Sequence, residues 1–166
     1  MKKILLLTFL LPLIAFSQPG KQINNEKIKK AAFEKRIIDK WQEYSKAFEY
    51  ADYDKIVSHF TYPVTFSILD NPRIINNQED LINVYKLMRS NVQDGYKYSI
   101  LDKSRIIWLS KDIFMIDATY SRYNNDYKRI YQGRGMYMYK KVEEAWKMFS
   151  ISSLPMVKNN KKKKIK

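Results

Sequence analysis

The chain of 166 residues contains no cysteine, one histidine and only four glycines. Without cysteine it can neither be stapled by disulfides nor lipidated on an N-terminal thiol, so a packed core must carry its stability. His59, alone within "DKIVSHFTYP", has only Asp54 nearby as an orienting carboxylate, which favours a packing role over catalysis. No histidine or cysteine cluster exists for zinc, and Glu143 with Glu144 reads as a turn pair. No metal and no other cofactor is therefore expected.

Acidic residues are also scarce, 17 against 31 Lys and Arg, for a net charge of +14. That excess is unevenly spread. Lys2 and Lys3 open the chain, and six further lysines lie in the closing run "KNNKKKKIK" from Lys158. A lysine run of this kind is ordinarily a solvated, disordered end, with weak electrostatic contact to an anionic surface as its sharper alternative. Neither zinc-ligand spacing nor a basic helix nor an RNA-binding strand motif accompanies the charge, and the aromatics fall at core-like spacings. No nucleic-acid partner is expected.

The one long apolar run, Ile4 to Phe16 in "MKKILLLTFLLPLIAFSQ", follows two lysines and ends at the small residues Ala15 and Ser17. Positive start, apolar centre and small-residue end make a secretory signal peptide, cleaved after Ser17 to leave Gln18. The alternative, a membrane anchor, wants roughly 20 apolar residues. The expected organisation is thus a signal peptide at 1–17, a flexible segment at 18–26, one domain at 27–157 and a disordered tail at 158–166. The expected location is across the bacterial inner membrane, periplasmic or secreted.

Apolar positions Phe33, Ile37, Trp41, Tyr44, Phe48 and Ala51 recur at spacings of three and four, predicting one amphipathic helix from Lys27 to Ala51. A short second helix runs from Asp54 to Phe60, capped by Asp52 or Asp54 and stopped by Pro63. "VTFSILD", Val64 to Asp70, reads as a strand with a turn at Asn71 and Pro72. A third helix starts at the Asn77 cap, buries Leu81, Val84, Tyr85, Met88 and Val92, and ends at Gly95.

After Gly95 four β-rich runs follow, at about 96–109, 113–123, 127–141 and 146–155, joined by "SKD", "NND" and "VEEA". Gly133 and Gly135 suggest a bulge or a strongly curved strand. The predicted class is α+β: three N-terminal helices packed on a strongly curved, mainly antiparallel sheet that forms a cone with an internal pocket.

In "IDATYSRYNND", Asp117 and Arg122 are five apart and so point to opposite faces of a regular strand. Phe114, Ile116, Ala118, Tyr120 and Arg122 make a packed face ending in a charge, with a scaffold role for Arg122 favoured. Ile113, Met115, Asp117, Thr119, Ser121 and Tyr123 make a mixed face, which suits equally the wall of a wet pocket or a dimer contact.

The order of these elements, with "EYSKAFEYADYDKIVSHFTYPVTFSI" (Glu43 to Ile68) and later Arg122, Gly133 and Trp146, resembles the nuclear transport factor 2-like superfamily, which includes SnoaL-like proteins and ketosteroid isomerases. The resemblance spans roughly Lys27 to Pro155. It implies a cone fold and puts Tyr44 where the isomerases keep an oxyanion-binding tyrosine. Their general base would fall near Phe66, Ser67 and Ile68, and their second acid near Met136, Tyr137 and Met138, where this chain has no carboxylate. Two roles follow from the residues. One is a binding or accessory domain for a small apolar, aromatic or carbonyl-bearing molecule, walled by Trp41, Tyr44, Phe66, Tyr85 and Met88. The other is a small-molecule isomerase, cyclase or lyase using Tyr44 and Asp117. A homodimer through a leftover sheet face is also expected.

Overall fold

The computed structural model describes residues 19–68 and 72–156. The expected leader and lysine tail lie outside the described residues. The chain divides into two compact units, 1–35 and 36–166. The first holds the opening turns of helix α1, and the packing reported below lies within the second.

Helix α1 spans Pro19–Glu49, beginning before the apolar stripe because its polar opening turns leave no periodic signal. Ile37, Trp41, Tyr44, Ala47 and Phe48 are buried along one face. The helix stops short of Ala51, which takes a left-handed conformation at φ 55°. The Asp52 N–H donates to the Ala47 carbonyl at 2.9 Å and the Ala51 N–H to that of Phe48 at 3.2 Å, closing the helix in a Schellman motif. Asp52 then caps α2 (Tyr53–Ser58) by accepting from the Lys55 N–H at 3.0 Å.

Strand β1 (Phe60–Ser67) starts earlier than the sequence suggests and runs through Pro63. Proline has no N–H to give, and its neighbourhood is where the β1–β6 pairing is irregular, between Phe60 and Thr65. A three-residue strand β2 (Arg73–Ile75), too short for a periodic signal, pairs antiparallel with β1. Helix α3 (Gln78–Ser90) is capped by Asn77, whose side chain accepts from the Asp80 N–H. It ends at Ser90 rather than Gly95: Asn91 is its C-cap, makes the last helical N–H bond to the Leu87 carbonyl and donates its side-chain amide to the same oxygen. Gly95, at φ 73°, instead serves the turn before β3.

Strands β3 (Tyr98–Ser110), β4 (Ile113–Tyr123), β5 (Arg129–Val142) and β6 (Ala145–Leu154) form the expected antiparallel meander. The six strands lie in the order β2-β1-β6-β5-β4-β3, and β1 joins β6 in parallel. The sheet is therefore mixed, curved and not closed. No bulge interrupts β5 at its glycines: Gly133 pairs with Tyr120 and Gly135 with Ala118 in unbroken register. The inner sheet face, with Val64, Phe66, Phe114, Ile116, Ala118, Tyr137, Tyr139, Met148 and Ile151, is buried with the helices' apolar faces. Each of the valine, isoleucine, phenylalanine and methionine side chains among them contributes about 1.5–3 kcal/mol.

Candidate functional site

Between α1 and the inner face of the meander lies a cavity of about 60 Å³, room for roughly two to four waters. Trp41, Tyr44, Ser45 and Phe48 supply one wall from successive turns of α1, and Met88 of α3 lines it too. Tyr120, Arg122, Gly135, Tyr137 and Ile151 supply the sheet wall. Glycine at 133 and 135 makes this wall possible. A Cβ on Gly133 would come within 2.8 Å of the Tyr120 ring, and one on Gly135 within 3.0 Å of the Tyr137 ring.

Trp41 and Tyr44 both meet Tyr137 edge-on, at 5.9 and 6.1 Å between centroids, and Trp41 also meets Tyr120 at 6.2 Å. The Tyr44 hydroxyl does not stand free, since it shares a 2.8 Å hydrogen bond with the Tyr85 hydroxyl. Burial pushes the Tyr44, Tyr85 and Tyr137 phenols well above their ordinary range, so all three stay neutral at physiological pH. Phe66 and Tyr85, expected in the wall, pack on each other at 5.6 Å and support Tyr44 from behind without lining the cavity.

Asp117 is not brought to Tyr44. Its register partners are Arg105 on β3 and Met136 on β5, on the outer sheet face. Arg134 grips both its carboxylate oxygens at 2.7 Å, and Arg105 adds a bond at 3.3 Å. The Arg134 hydrogen bonds, opposed by partial burial, hold Asp117 below the ordinary carboxylate range. Arg134 also reaches the Pro155 carbonyl at 3.3 Å, tying the end of the sheet to the same network. The odd spacing of Asp117 and Arg122 thus separates them as expected, but Arg122 faces the cavity and Asp117 lines an outer hollow with Lys103, Arg105 and Arg134, of which Arg134 also borders the cavity.

His59 also lies outside the cavity lining. Its ring is buried against Tyr44, and its Nε2 has no hydrogen-bond partner. Burial, reinforced by the positive charge of Lys55, pulls its pKa down to about 4. Among the described residues, no group of three or more His, Cys, Asp or Glu could hold a metal.

Arg122 is the site residue that sequence reasoning left in the scaffold. Its guanidinium sits 5.3–5.6 Å from the ring centres of Phe48, Tyr96, Tyr120 and Tyr131. It donates to the Gln93 side-chain oxygen at 2.6 Å. The available signal was its shared parity with Ile116, Ala118 and Tyr120. A second, open groove of about 690 Å³ runs between α1 and the start of β3, and shares Trp41, Ser45 and Ser99 with the cavity.

A family model described as NTF2-like protein (DUF6841) matches residues 29–156. An NTF2-like protein of unknown function from Pseudomonas putida KT2440 superposes with a TM-score of 0.62 at 10% identity, over 78% of this chain and 91% of its own. An NTF-2 like protein of unknown function from Shewanella oneidensis MR-1 gives 0.56 at 13% identity, over 70% and 94%. A Nostoc punctiforme PCC 73102 protein of unknown function with a cystatin-like fold gives 0.60 at 12%, over 73% and 90%. No curated protein matches the sequence. Likeness at this level of identity establishes the fold alone.

Proposed function

We propose that this chain, which belongs to the NTF2-like protein family (DUF6841), is an exported domain that holds a small ligand in its cavity without transforming it. One observation carries the reading: the cavity is lined by aromatic, hydroxyl and arginine side chains and includes no carboxylate and no histidine. Proton transfer at neutral pH needs a group that titrates near it, and the lining tyrosines are driven the other way. A phenol could still stabilise negative charge, by about 3 kcal/mol, but cannot create it. Tyr44 is moreover engaged with Tyr85. Export rests on the leader pattern at Met1 to Ser17.

The Trp41 indole N–H offers a reporter, since Trp41 lines the cavity whereas Trp108 and Trp146 pack against Phe114 elsewhere. In a nuclear magnetic resonance screen of the protein with small polar-headed fragments, some should shift the Trp41 indole signal while leaving those of Trp108 and Trp146 in place. A screen at millimolar concentration that moves no Trp41 signal overturns ligand binding. Turnover of an enone that disappears in Tyr44→Phe overturns the absence of catalysis.

A further inference from the structure

We propose that the ligand is a small monocarboxylate with an apolar tail, its carboxylate placed in the cavity against Arg122 and its tail leaving along the groove between α1 and β3. The inference rests on the binding reading above and names the chemistry that this site selects.

The first ground is an uncompensated charge. Arg122 lines the cavity and has no carboxylate partner among the described residues. Its one side-chain hydrogen bond goes to the neutral Gln93, and its Nε is buried with no acceptor at all. Four aromatic rings border its guanidinium, and the residue is half-buried. A guanidinium withdrawn from water without an anion is costly, and an anion delivered to it recovers that cost. Arg89, over the same Phe48 and Tyr96 rings, likewise has no carboxylate partner among the described residues, which adds positive potential nearby. The closest acid in sequence on α1, Glu49, is held by Lys46 at 3.2 Å.

The second ground is the contrast between the two adjoining spaces, which share Trp41, Ser45 and Ser99. The cavity lining includes no Asp or Glu, whereas the adjoining groove is lined by Asp39, Glu43, Glu49 and Asp52 against only Lys46 and Lys55. A carboxylate is repelled from the groove and drawn to the cavity, so the ligand's orientation is set. Volume divides it the same way. About 60 Å³ accepts a carboxylate and a methylene or two, and the 690 Å³ groove, with Ala47, Ile100 and Leu101, accepts the remainder. Of the two arginines in the lining, Arg134 is already held by Asp117, so Arg122 alone is left to match one negative charge, and a planar two-oxygen group matches its guanidinium fork. A dianionic head would leave a charge buried without a partner.

Octanoate, octanamide and octanol test this on the full chain by calorimetry, with the Trp41 indole signal as the positional readout. Octanoate should bind about 10- to 100-fold more tightly than octanamide, the range expected for charge-assisted hydrogen bonds. Arg122→Gln should bring octanoate down to the level of octanamide, with a much smaller effect on octanamide itself, and Arg122→Lys should retain part of the preference. Equal affinity of wild type for acid and amide overturns the carboxylate assignment while leaving ligand binding intact. Octanoate that binds without moving the Trp41 signal overturns the placement of its head. Both wild-type results stand whether or not the variants fold.

Discussion

At the scale of single residues, burial governs His59 and the tyrosines around the cavity. His59 titrates at about 4 in the fold against an ordinary 6.5, lowered by burial and by Lys55, Lys40 and Lys147, with Glu43 opposing. The folded state therefore binds fewer protons than the unfolded chain between these values. The neutral ring's contribution is full above about 6.5 and is lost as pH falls toward about 4, a loss on the order of 2–3 kcal/mol. Urea midpoints measured from pH 7.5 to 4 should fall, and His59→Gln should flatten the fall; because the chain has one histidine, its ring carbon signal should show no titration above pH 5.5. A midpoint at pH 6.5 in that signal would contradict the burial argument. The Tyr44–Tyr85 bond gives a second test. Either Tyr→Phe leaves the other buried hydroxyl unsatisfied, at about 1–3 kcal/mol, whereas the double variant removes both. Denaturation of the four proteins should show a double-variant cost clearly below the sum of the single ones.

At the scale of elements, β5 is fitted to α1 through what its glycines omit. Across from Gly133, the Tyr120 ring leans over the strand toward Trp41, and a methyl group at 133 would displace the Tyr120 and Tyr131 rings from 2.8 and 2.7 Å. Gly133→Ala should cost about 1–3 kcal/mol by overpacking, read from urea unfolding, and should alter the Trp41 indole signal. Ala substitution that left both unchanged would show that the rings move aside freely. The helix ends follow local rules: Ala51 closes α1 in the left-handed region and Asn77 caps α3 by its side chain.

At the scale of the whole molecule, the open sheet has an outer face on which no helix is seen packed among the described residues. Ile107, Met115 and Met138 are register partners across β3, β4 and β5 and stay half-exposed, beside the Arg105–Asp117–Arg134 ion cluster. An apolar row edged by a satisfied ion network suits a twofold contact between copies. Light scattering at high micromolar concentration should give the mass of a dimer, and Met115→Lys should halve it. A monomer mass for the wild-type chain at that concentration would rule the contact out.

The α+β class, the buried stripe of α1, the cap at Asn77 and the four-strand meander were legible in the residues, because periodicity and turn chemistry act over a few neighbours. Parity along β4 even separated Asp117 from Arg122. The sequence could not say which of these faces the cavity, because that depends on which side of the sheet α1 covers. Nor could it reveal β2, three residues long, the parallel β1–β6 pairing, or the end of α3 at Ser90, past which its apolar stripe continues to Val92. Phe66 and Tyr85 are buried but do not border the 60 Å³ cavity, since hydrophobic pattern reports depth and not adjacency to a void. The character of the site was decided at the same level: Arg122 becomes a cavity cation only because Phe48 from α1, Tyr96 from the loop and Tyr120 and Tyr131 from neighbouring strands converge around it. Such convergence joins residues far apart in the chain, and no local rule of sequence encodes it.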